Sequence, residues 1–230
     1  MTSIKKLLLS FSALAIFLLQ SEISSAQGIS FSYLVPKNGY ISAPISPFSI
    51  RGVGIGGLVG LETGFTLYSI PGLSMSGLPF ESDKPLTGPN WSVLIPGQAT
   101  LSVGGGPITV KLLAGGFFIW HANSRINKGN LDRAISEYEN WDVATSNMKM
   151  NSKPGFGWMA GTEIEYQINN KFAIAAEIQY LKGESDSALA GSYSGGTVGS
   201  EITTKQATFD TATTQLEGVE ISLGVKLRGK

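Results

Sequence analysis

The sequence has no cysteine and only one histidine among its 230 residues. Without cysteine there is no disulfide framework, no thiolate zinc site, no thiol nucleophile and no lipid-bearing amino-terminal thiol. A lone histidine, His121, cannot build a multi-histidine metal centre. Charge is scarce as well, at 15% of residues, and the 17 basic and 17 acidic side chains cancel. Such a chain has no net field with which to attract nucleic acid. Apolar runs long enough for a membrane helix, about 20 residues, are missing throughout. What the chain does have is glycine, 29 residues of it, together with a slightly positive mean hydropathy of +0.12. That combination excludes a highly charged disordered chain.

The amino terminus reads as an export signal. Lys5 and Lys6 precede an apolar stretch from Leu7 to Leu19, and Ser24, Ser25 and Ala26 supply the small residues that a signal peptidase recognises. Cleavage after Ala26 is expected, leaving residues 27–230 as one exported domain.

In that domain the dominant period is two. Val219, Ile221, Leu223, Val225 and Leu227 alternate with Gly218, Glu220, Ser222, Gly224 and Lys226. Phe172, Ile174, Ala176, Ile178 and Tyr180 repeat the pattern, as do Trp158, Ala160, Thr162, Ile164, Tyr166 and Ile168. Less regular strands are expected at 29–35, 48–55, 59–69, 91–103 and 108–120, making eight. Gly56-Gly57, Gly104-Gly105-Gly106-Pro107 and Asn169-Asn170-Lys171 suit tight turns that need positive φ. The polar segments 37–45, 71–90, 122–153 and 184–214 read as long loops, so long and short connections alternate and each kind gathers at one end. Within 122–153, a helix capped by Asn130 would place Leu131, Ile135 and Tyr138 on one face.

This pattern resembles the small eight-stranded outer-membrane barrels of the OmpA and OmpX kind: export signal, alternating strands, short turns at one end and long loops at the other. The resemblance implies an all-β, eight-stranded antiparallel up-and-down transmembrane barrel in the outer membrane of a Gram-negative cell envelope. It also implies contact with outer-membrane lipid and lipopolysaccharide, a monomeric state, no cofactor, and long loops meeting an unknown surface ligand. The chain departs from the pattern at its end, Leu227-Arg228-Gly229-Lys230, where such barrels often carry an aromatic residue. The runner-up fold is a soluble lipocalin-like barrel with the apolar face turned inward.

Trp91, Trp120 and Trp158 fall near the long-loop end on the apolar face, where an aromatic belt is expected, and Tyr166 and Phe172 would mark the opposite interface. The polar faces carry Arg51, Glu62, Lys111, Glu163, Glu165, Glu177, Glu220 and Lys226. In an eight-stranded barrel these point into a lumen just wide enough for side chains, so ion pairing is expected. If Gly56 and Gly57 close the second and third strands, Arg51 stands opposite Glu62, and aligning Trp120 with the neighbourhood of Gly155 brings Lys111 beside Glu163 and Glu165. Gly52 and Gly54 mark a bulge or clear lumen space. Three functions follow in order: a non-enzymatic barrel with a plugged lumen, a small pore, and a lipid A or phospholipid hydrolase using His121 with Ser124 and Glu137 or Glu139. In a strand His121 and Ser124 would face opposite sides, which counts against the hydrolase. Glu184, Asp186, Glu201 and Asp210 are too irregularly spaced for a calcium loop, and no metal is expected.

Overall fold

The computed structural model describes residues 27–37, 45–122 and 124–227. The expected signal peptide and the final Arg228-Gly229-Lys230 lie outside these residues. Strands β1 (Gln27–Pro36), β2 (Ile45–Gly56), β3 (Val59–Ile70), β4 (Met75–Ser76), β5 (Asn90–Gly105) and β6 (Ile108–Ala122) are followed by helix α1 (Lys128–Glu139). Then come β7 (Val143–Ser152), β8 (Gly155–Gln167), β9 (Phe172–Gly196), β10 (Thr203–Phe209) and β11 (Thr213–Leu227). Eight of these close a ring in the order β1, β2, β3, β5, β6, β8, β9, β11, and β11 returns to β1 with Gln27 beside Leu227. Each neighbouring pair is antiparallel, and the tight turns gather at the end where Gln27 pairs with Leu227.

Alternation decides which way each face points. Ile29, Phe31, Leu223 and Val225 are exposed on the outer wall, whereas Ser32, Ser222, Glu177 and Lys226 are buried inside. An apolar girdle of this extent would aggregate in water, and it is the surface that a bilayer covers. The lipocalin-like alternative, with its apolar face inward, is therefore overturned.

The long-loop end is folded, contrary to the loop reading of 122–153 and 184–214. Strand β9 is 25 residues long. Beyond the barrel its residues Ser187–Gly196 pair with β7, and Leu189–Gly195 pair on the other side with β10. These segments are rich in Ser, Gly, Thr and Asn and look like loops in composition, yet they keep a two-residue alternation that buries Leu189 and Tyr193. Helix α1 packs against β7, with Leu131, Ala134 and Ile135 buried. Its cap is Asn127, whose side chain accepts from the Asn130 backbone N–H. The expected Asn130 cap is thus one turn too late, because Lys128 and Gly129 already belong to the helix. Phe80, Leu86, Leu131, Ile135, Met148 and Leu189 form a second core above the barrel.

Candidate functional site

The barrel interior has two tiers. Nearer the tight turns lies a network of charge. The Arg51 guanidinium donates to Glu220, to Glu177 at 3.4 Å and to the Ser49 hydroxyl at 2.9 Å. Glu220 also accepts from Tyr68 and, at 3.0 Å, from Ser222. Lys226 Nζ lies 2.5 Å from Glu163, and Lys111 Nζ lies 2.7 Å from Glu62 and 3.4 Å from Glu163. Glu165 stands 3.9 Å from Lys111 and 4.0 Å from Lys226. Gln98 and Gln179 join across the lumen at 2.6 Å, and Gln179 also donates to Glu177. A cavity of about 10 Å³ remains between Ser30, Arg51, Glu177 and Lys226, room for about one water.

Above this network the inward positions turn apolar: Leu34, Ile70, Leu94, Phe117, Ile119 and Leu181 are all buried together. Gly157 admits the Phe117 ring, since a Cβ there would stand 2.3 Å from its Cζ. Between the apolar tier and the cap, His121 Nδ1 and the Ser92 hydroxyl are 2.6 Å apart. Ser92 is 0% exposed, so its hydroxyl is closed off from the surface. Among the described residues no group of His, Cys, Asp or Glu could hold a metal.

On the outer wall Trp91, Trp120 and Trp158 are about half exposed, as are Tyr166 and Phe172 toward the other end. The Trp158 ring lies 5.4 Å from that of Tyr180. Glu217 accepts from Tyr180 and from Lys37 at 2.6 Å, with Lys182 at 3.6 Å. In the cap, Glu139 accepts from Lys205 at 2.5 Å and Tyr193 at 2.7 Å, while Lys205 Nζ sits 5.5 Å over the Trp141 ring. Those two donors hold the Glu139 carboxyl below its ordinary range. Burial, with the Glu139 charge, pushes the Tyr193 phenol up to about 12.

No protein-family model matches the chain, and no curated protein matches it. Among solved structures it is similar to the outer-membrane protein OprG of Pseudomonas aeruginosa. The TM-score is 0.54 at 9% identity, covering 89% of this chain and 95% of that one. The chain has the fold of a small outer-membrane β-barrel. Weaker likenesses are Ail, the attachment invasion locus protein of Yersinia pestis, with a TM-score of 0.38, 12% identity and 90% and 99% coverage, and a major outer-membrane protein of Thermus thermophilus, at 0.40, 10% identity and 89% and 99% coverage.

Within the barrel, the eight charged residues picked out in the sequence occupy one connected interior, but one expected pair is wrong. Arg51 is not opposite Glu62. The β2–β3 hairpin turns at Gly57-Leu58, which pairs Gly54 with Glu62, and a register shift between Ile50 and Val53 falls where Gly52 has φ 72°. That bulge re-aims Arg51 across the lumen to Glu177 and Glu220. The His121–Ser124 dyad is likewise not formed: His121 meets Ser92, and the buried Ser124 hydroxyl has no hydrogen-bond partner. Tyr68, Gln98, Gln179 and Ser92 were missed by sequence reasoning. Their signal was present, since each is a polar residue in phase with the inward face of its strand.

Proposed function

We propose that this protein is a non-enzymatic integral outer-membrane barrel, sealed by its own side chains, that holds a folded platform on the outer surface of the cell. The observation that carries the reading is the filled interior. A charged tier, in which the space between Ser30, Arg51, Glu177 and Lys226 admits about one water, is stacked beneath an apolar tier that includes the fully buried Leu34, Ile70, Leu94 and Leu181. Water and ions crossing such a lumen would have to pass both. The exposed apolar girdle, which includes Trp91, Trp120 and Trp158, supports insertion with the long-loop end outward. The cap formed by α1, β7, β10 and upper β9 then stands outside the membrane as a surface for contact. The buried Ser92–His121 pair offers no reaching substrate a nucleophile, which supports a protein without hydrolase chemistry. Planar bilayers test the seal: the native protein is expected to give no stable conductance, and steady conductance would make it a small pore.

A further inference from the structure

The platform has two outer edges, and only one is covered. On β7 the helix closes the lane, with Asp132 accepting the Ser146 backbone N–H at 2.7 Å. On the far side β10 pairs with β9 alone among the described strands, so its other edge presents unpaired backbone groups, a template for a further strand. The charged side chain of this edge, Lys205, is partly exposed but held in place, tied to Glu139 and lying over Trp141. The lane is also bounded. Below Phe209 the chain is met by β4, where Thr211 donates to the Gly77 carbonyl at 3.0 Å and Thr213 pairs with Ser76. Among the described residues, the seven of Thr203–Phe209 pair with β9 and with no strand on their other side.

We propose that β10 is a self-recognition edge that pairs antiparallel with β10 of a second copy held in an apposed membrane. This rests on the barrel standing with its platform outward. The midpoint of β10 is Gln206, and a two-fold axis there fills the whole lane with an identical strand. Thr203 then faces Phe209, Thr204 faces Thr208 and Lys205 faces Ala207, with no like charges opposed within the seven residues. Cross-strand Thr pairs are favourable. The exposed face continues across the join without interruption, because Thr204, Gln206 and Thr208 align with Ser194, Ser192 and Ala190 of β9 and, beyond them, with Thr145, Asn147 and Lys149 of β7.

The symmetry fixes the geometry of the partner. Parallel ladders slant and offset their hydrogen bonds, so two identical edges form a two-fold pair only when antiparallel. Strand direction then reverses, and the two barrels lie at opposite ends of the joined sheet. Copies in one membrane cannot meet this way; copies in facing membranes can. From Tyr180 beside the Trp158 ring to Ser192, the partner of Gln206, the strand runs about 40 Å along its own length at ~3.3 Å per residue. A seven-residue ladder belongs with weak, transient contacts, and many copies on each surface multiply it.

The test uses full-length mature protein in phosphatidylcholine vesicles, with clustering read by light scattering and folding by circular dichroism. Wild-type vesicles are expected to cluster. Thr204→Glu with Thr208→Glu, and separately Thr204→Lys with Thr208→Lys, place like charges opposite one another at both ends of the pair. Each double variant alone is expected to lose clustering by about tenfold, and mixing the two vesicle populations is expected to restore it. Clustering of either variant alone at the wild-type level, or mixed populations that stay dispersed, would overturn the proposal. So would wild-type vesicles that never cluster. Carbonate extraction of the same vesicles separates the underlying reading: released protein ends the membrane barrel and the pairing together, whereas retained protein without clustering ends only the pairing.

Discussion

Arg51→Met is the most direct probe of the lumen. The side chain is 5% exposed, and methionine keeps much of its length, so the change removes a charge and leaves little void. Glu220 keeps the Tyr68 and Ser222 donors, and Glu177 keeps Gln179; neither carboxylate keeps the cation. Breaking a buried pair from one side typically costs about 3–5 kcal/mol, and these surviving donors place the expected loss near the lower end, about 3 kcal/mol. With a urea slope of about 2 kcal/mol per molar, the unfolding midpoint in detergent micelles should fall by about 1.5 M. Lys153→Met is the control. It removes the Lys153–Asp186 bridge, where both side chains are 64% exposed, and should cost less than about 1 kcal/mol. The double change Arg51→Met with Glu220→Gln should recover part of the loss, because one of the stranded charges is gone. If Arg51→Met moves the midpoint no further than Lys153→Met does, the lumen solvates its charges and the sealed reading fails.

Acid should loosen the platform before the barrel. The Glu139 carboxyl is held below its ordinary value in the folded protein, so its contribution is present above the unfolded value of about 4.3 and disappears as pH falls through the lower folded value. Protection factors of the β10 amides, taken against intrinsic exchange at each pH, should fall between pH 6 and pH 3 while those of the β8 amides hold, and unchanged β10 protection would refute the role of Glu139. Glycine substitutions should separate sharply by position. A Cβ at Gly157 would strike the Phe117 ring at 2.3 Å and the Lys182 carbonyl at 2.4 Å, whereas one at Gly97 meets nothing within 4 Å. Gly157→Ala should therefore lower stability by about 1–3 kcal/mol and Gly97→Ala should be nearly neutral, as measured by urea midpoints.

Much of the barrel was legible because lipid exposure writes itself into alternate residues. Ile29, Phe31, Tyr33 and Val35, and later Ile221, Leu223 and Val225, are apolar on every second position and point outward. Alternation fades where the interior is dry. Phe117, Phe118, Ile119 and Trp120 form one unbroken apolar run because both faces of β6 are apolar at that level, with Phe117 and Ile119 inside and Trp120 outside. That run was a readable sign of the apolar tier. Ion partners were legible only between adjacent strands whose register runs without a bulge, as for Lys111 with Glu163 and Glu165. Arg51 and Glu220 are 169 residues apart, and closing the ring, together with one bulge, decides their meeting. The platform was hidden by composition: Ser, Gly and Thr signal loops on average, and only their alternation against Leu189 and Tyr193 separates a strand from a loop.

The unbroken course of β9 also determines how the molecule bears load. A pull on the hairpin tip at residues 197–202, directed away from the membrane, runs along the strand rather than across it. Strand β9 is flanked by β11 over 15 paired residues and by β8 over 12. Force along a ladder strains its hydrogen bonds together, in shear, whereas force across a ladder opens them one at a time like a zip. The same strand that displays the tip therefore anchors it in the stiffest direction the sheet has.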